Sequence, residues 1–112
     1  MILIKLCPYL ESSFNILGRR WNGLIIHYLS NCPESMAHFS QMKRDLNDIT
    51  PRSLSMKLTE LAEHDLVLKK VTEQTPVTIK YHLSEKGQQL ATALLPIQTW
   101  AQQHIELKTS TK

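Results

Sequence analysis

The chain has 112 residues, 13 Lys and Arg against 10 Asp and Glu, a formal charge of +3, and a hydrophobic share of 42%. That is one domain's worth of sequence, whose thin core would gain from oligomerisation, and the composition excludes a disordered chain. A pI near 9.0 fits a polyanionic partner without requiring one.

Two further classes drop out. No stretch reaches the roughly 20 apolar residues of a membrane helix. The N-terminal MILIKLCPYL is too short for one and has no signal-type cleavage site, so a cytoplasmic protein is expected. Two cysteines, Cys7 and Cys32, make neither a disulfide framework nor a Cys-x-x-Cys pair.

In chain order, Pro8 suits the first position of a helix with Cys7 as its N-cap, and Gly18 suits its stop. Leu10, Phe14 and Leu17 recur at helical spacing between them. A second helix is expected over 21–30, with Trp21, Ile25, Tyr28 and Leu29 on one face. Asn31, Pro33 and Glu34 break it. Residues 36–46 carry two readings. Met36, Phe39, Met42 and Leu46 suit one helix face. Alternatively, 36–39 is a short strand and Ser40 caps a helix over 41–46.

Thr50 and Pro51 predict a helix start, and Leu54, Leu58, Leu61 and Ala62 a buried stripe. Asp65 stands where a helix-ending residue adopts a left-handed conformation. Residues 66–71 and 77–83 are rich in β-branched side chains and predict two strands, joined by a loop over 72–76. Ser84 caps a last helix, with Glu85 near its positive end. Leu90, Leu94, Ile97 and Ala101 form its stripe, and Leu95, Trp100 and Ile105 widen it, as a sister subunit would require. Pro96 predicts a kink or break. The expected organisation is a single domain over 1–107 with a disordered tail over 108–112. The fold class is α+β, mainly helical: a winged helix-turn-helix with a two-stranded wing and terminal dimerisation helices.

A capped helix running into a two-stranded ribbon points to double-stranded DNA. Opposite its leucines the helix carries Arg52, Ser53, Met56, Lys57, Thr59 and Glu60. Arg52 suits a guanine edge, Ser53 and Ser55 bases or phosphates, Met56 a thymine methyl, and Lys57 a phosphate. Lys69, Lys70 and Lys80 on the ribbon suit phosphates or the minor groove. The plain alternatives are a solvated helix and lysines protecting a sheet edge. Residues 43–86 hold eight basic residues against seven acids, so a basic patch must arise from folding. Cys7, at a helix N-terminus, sits where the dipole favours a thiolate that oxidants or electrophiles attack; otherwise it packs as a small hydrophobe. Nothing in the sequence activates Cys32. Five histidines show no ligand spacing, so neither metal nor cofactor is expected. The absence of a phosphate loop, nucleophile elbow or paired-carboxylate motif argues against an enzyme.

The segment CPYLESSFNILGRRWNGLIIHYL resembles the opening of HxlR-type regulators, a MarR-related branch of winged-helix proteins. The resemblance lies in Cys7, Pro8, Leu17, Gly18, Arg19, Arg20 and Trp21. It continues in the family's recognition-helix pattern at Ile49, Thr50, Arg52, Leu54, Ser55, Leu58 and Leu61. It closes with the pattern after the wing at Tyr81, Leu83, Ser84, Glu85 and Gly87. The likeness implies a transcriptional regulator, a homodimer formed through terminal helices, an inverted-repeat operator, contacts from Thr50 as part of the reading helix, and oxidant or electrophile sensing at Cys7. Four positions depart from the family pattern: His38 replaces an arginine, Asp65 the helix-ending glycine, Thr78 a basic wing residue and Lys80 a glutamate. A regulator answering a non-covalent ligand at the dimer interface, or a protein-interaction module, would use the same fold.

Overall fold

The computed structural model describes residues 2–108. Its elements are α1 (Pro8–Leu17), α2 (Arg20–Asn31), a short 3-10 turn over Pro33–Ser35, β1 (Met36–His38), α3 (Phe39–Asp45), α4 (Pro51–Glu63), β2 (Val67–Val71), β3 (Ile79–Leu83) and α5 (Glu85–His104). This is the mainly helical winged helix-turn-helix. The four C-terminal residues of the expected tail lie outside the described residues.

Capping chemistry sets three of the five helix starts. The Cys7 sulfur accepts from the Leu10 N–H, the Thr50 hydroxyl from Ser53 and the Ser84 hydroxyl from Gly87. Each satisfies a backbone donor with no partner inside its own helix. Of the two readings of 36–46, the structure takes strand then helix, with one change. The helix starts at Phe39 behind His38, and Ser40 lies inside its first turn.

The sheet has the order β1-β3-β2, antiparallel throughout. The wing is β2 paired with β3, and β1 adds a third strand through Met36–His82, Ala37–Tyr81 and His38–Lys80. The connecting loop is longer than expected. Thr78 lies outside the strand because its N–H bonds to the Thr72 hydroxyl, while the Thr72 N–H bonds to the Thr78 carbonyl, both at 2.9 Å.

The core lies where α2, α4 and the sheet meet. Ile25, Ile26, Leu29, Met42, Leu54, Leu58 and Leu61 are fully buried, with Val67, Tyr81 and Leu83 beneath them. The expected face of α2 is rotated: Ile26 and Asn22 are buried, while Trp21 and Tyr28 are half-buried. Asn22 donates to the Ile16 carbonyl at 3.0 Å, tying α1 to the core helix.

The start of α5 grips the end of α4. Asp65 has a φ of 60°, the left-handed turn expected there. Ser84 donates to the Asp65 carbonyl at 2.6 Å, Lys86 to the His64 carbonyl at 2.8 Å, and the Ser84 N–H to the Leu66 carbonyl at 3.0 Å. A Cβ at Gly87 would collide with the Leu66 carbonyl oxygen, so the approach needs glycine. Beyond this grip, α5 runs unbroken through Pro96, so of the expected kink or break the break does not occur. Proline removes one hydrogen bond there, to the Thr92 carbonyl. Thr92 is exposed, so water can take that bond's place.

Candidate nucleic-acid interface and thiol sites

The Thr50–Pro51 start and three buried leucines fix which side of α4 faces out. Arg52, Ser53, Ser55, Met56 and Thr59 are exposed, Met56 to 62%. They span the first turns of the helix, the part that reaches bases in helix-turn-helix proteins. Thr50 stands at the same end, its hydroxyl oxygen occupied by the cap and its O–H still able to donate. The Thr59 hydroxyl is turned back to the Ser55 carbonyl at 3.0 Å.

Lys57 differs from its exposed neighbours. It is half-buried, and its ammonium lies 3.6 Å from Glu60, which also receives Arg19 at 3.4 Å. No sequence pattern announces this three-member ion cluster, because Arg19 belongs to the turn before α2. It joins that turn to the middle of α4.

The three wing lysines divide between faces. Lys70 stands opposite Lys80 across β2 and β3, with His38 next in the same row on β1. Lys69 pairs with Tyr81 and so belongs to the opposite face. Like charges directly opposite are unfavourable in an isolated sheet, and a polyanion between them relieves the repulsion. The basic patch that local composition lacks is therefore a row assembled by strand register. Thr78 takes no part in it; its hydroxyl lies 2.7 Å from that of Thr72 at the neck of the loop.

The two thiols occupy unlike places. Cys7 is exposed at the tip of α1, its sulfur 3.5 Å from the Leu10 nitrogen. Cys32, the C-cap of α2, is half-buried, and burial pushes its thiol up. Beside it the Tyr28 hydroxyl donates to Asp45 at 2.7 Å. Burial, then this bond, raises the Tyr28 pKa above the ordinary phenol value, and the bond holds the Asp45 carboxyl below the usual carboxylate range. No motif announced the Tyr28–Asp45 pair, whose partners stand 17 residues apart.

Among the described residues, no group of three or more His, Cys, Asp and Glu is placed to hold a metal ion, and no helix is long and apolar enough to cross a membrane.

Residues 16–109 match the sequence profile of a family described as HxlR-like helix-turn-helix. The chain is 39% identical over 101 residues to the HTH-type transcriptional regulator YodB of Bacillus subtilis (strain 168), covering 90% of this chain and 88% of that protein. It superposes on the reduced form of YodB with a TM-score of 0.78 at 36% identity, over 94% of this chain and 100% of the other. For quinone-bound YodB the TM-score is 0.73, again at 36% identity, over 88% and 99% of the two chains. The redox regulator HypR in its oxidised form gives 0.77 at 26% identity, over 90% and 100%.

Proposed function

The chain belongs to the HxlR-like helix-turn-helix family of transcriptional regulators, which are not enzymes, and from that premise we propose that it is a homodimeric, sequence-specific DNA-binding protein sensing oxidants or electrophiles through Cys7. The observation that carries the DNA reading is the outward face of α4. Arg52, Ser53, Ser55 and Met56 are unburdened by the core, and the Lys70–Lys80 pair stands on the adjoining wing. In this reading α4 enters the major groove, Arg52 takes a guanine edge, and Thr50, Ser53, Ser55 and Met56 complete the base and phosphate contacts. Lys57, Lys69, Lys70 and Lys80 supply charge toward the backbone.

Dimerisation is supported by apolar surface left open at the chain ends. Tyr9, Leu10 and Phe14 of α1, and Leu95, Ile97 and Trp100 of α5, are all more than half exposed. Joined about a two-fold axis, these helices would set two α4 helices about 34 Å apart, facing an inverted-repeat operator. The domain is taken to span 1–107, and its place of action is the cytoplasm.

Sensing is supported by the exposure of Cys7 at the N-cap of α1, and by the likeness to a protein whose quinone-bound form is known. Modification there would add bulk at the tip of the open apolar surface. The test is a selection of DNA sites from random sequence, with and without reductant. An inverted repeat recovered more tightly under one condition is the expected result. A Cys7→Ser protein that still answers a quinone at its operator would remove Cys7 from the mechanism.

A further inference from the structure

We propose that His38 is the third cation of the wing row, a phosphate contact made in its protonated form, so that binding DNA takes up a proton. The inference rests on the DNA reading and adds to it a dependence on pH. Strand register carries it. His38 pairs with Lys80 across β1 and β3, and Lys80 with Lys70 across β3 and β2. Residues paired on adjacent strands share one face of a sheet, so the three stand side by side at the strand spacing of about 4.8 Å. The His38 side chain is exposed.

The place of His38 in the chain points the same way. It is the residue immediately before α3. α3 is the first helix of the helix-turn-helix, and in such motifs the first helix crosses the DNA backbone while the second reads bases. A backbone crossed by α3 comes up to the His38 end of the row, with Lys80 and Lys70 next along it.

Histidine is the side chain whose charge changes near neutral pH. A neutral imidazole offers a phosphate one ordinary N–H bond, and an imidazolium offers a charge-assisted bond from either nitrogen. A neighbouring opposite charge favours the protonated form, so a phosphate held by Lys70 and Lys80 draws a proton from water onto His38. The surroundings supply no rival carboxylate. The hollow beside His38 is lined by Pro33 of the 3-10 turn, Met36 and Ala37 of β1, Gln41 of α3 and Lys80 of β3. Glu34, the nearest acid in sequence, is outside that lining. His82 shares the sheet face, diagonally across from His38 and opposite Met36. α2 packs on the buried side of β1, away from the row. The charged and titratable groups facing His38 are therefore Lys80, Lys70 and His82.

The test is the affinity of the full chain for a mixed-sequence DNA duplex at fixed salt, between about pH 8 and about pH 6. A phosphate contact carries no base information, so mixed sequence suffices as the probe. Binding should tighten about fivefold for each His38 engaged, the margin of a charge-assisted over a neutral hydrogen bond. The heat of binding should vary with the ionisation heat of the buffer, the mark of a proton taken up. His38→Gln should remove most of the dependence at an unchanged melting temperature. His38→Arg should hold the tight limit at both ends of the range, and His82→Gln should keep the parent's dependence. Equal parent affinity at both ends, a full dependence in His38→Gln, or its loss in His82→Gln would overturn the inference and leave the DNA reading standing. A chain that binds no duplex at any of these pH values would overturn both.

Discussion

The two ends of this molecule obey different rules. From α2 to β3 the chain closes on itself: each of α2, α3 and α4 contributes fully buried side chains to one cluster. In α1 none of the ten residues is buried, and most of α5 beyond Ala91 is open. Phe14 is 61% and Trp100 55% exposed, although both are core-type residues. The contrast teaches that a helix can be well formed without being finished. Here capping and propensity make the helix, and the proposed second copy would supply the burial.

The sharpest test of that division compares a head residue with an end residue. Leu58→Ala should cost about 2–5 kcal/mol in denaturant unfolding, because it removes most of a fully buried leucine side chain and leaves a cavity in the core. Phe14→Ala or Trp100→Ala should leave a dilute monomer's stability within about 0.5 kcal/mol while shifting sedimentation from dimer toward monomer. If the end residues cost the monomer as much as Leu58, the ends are part of the core and the contrast fails.

Next in size is a change that touches function and spares the fold. Arg52→Ala should weaken specific DNA binding by about 1–3 kcal/mol in a titration at fixed salt, with an unchanged melting temperature. Equal affinity for specific and random DNA before and after the substitution would take the reading role from Arg52. A smaller effect belongs to the cap of the same helix. Thr50→Ala removes the acceptor for the Ser53 N–H and should lower stability by about 1 kcal/mol.

The smallest effect is one of pH. The hydrogen bond from Tyr28 holds the Asp45 carboxyl below its ordinary range. A depressed folded-state pKa stabilises the fold above the unfolded value, near about 4, and that stabilisation is lost as pH falls toward the folded value. Tyr28→Phe should therefore lower stability slightly at neutral pH, leave it nearly unchanged at the acid end, and so flatten the acid limb of the stability profile. An unchanged acid limb would mean that the bond does not persist in solution.

How much of this could be read from residues varies with how local the cause is. α4 was legible to the residue because Thr50, Pro51 and the leucine stripe all act within one helix. The caps at Cys7 and Ser84 were legible for the same reason. β1 was legible only as one of two readings, because Met36–His38 becomes a strand only by pairing with β3, some 44 residues further on. The Lys70–Lys80 row and the Arg19–Glu60–Lys57 cluster likewise depend on register and packing, which no window of sequence contains. At Pro96 the local rule offered a kink or a break, and the break does not occur because an exposed helix face absorbs the lost hydrogen bond.

The grip of Ser84, Lys86 and Gly87 on the end of α4 has a mechanical consequence. With its end held by α5, α4 cannot turn freely of it, and the 20 residues of α5 make a rod about 30 Å long. A tilt of about 5° at the far end, where the apolar surface lies open, would carry the other end sideways by roughly 2.5 Å over that length. That is most of a base-pair step, enough in the proposed dimer to move the two α4 helices out of phase with the groove. In the proposed dimer this lever would let a chemical event too small to disturb the core be read out as a change of spacing.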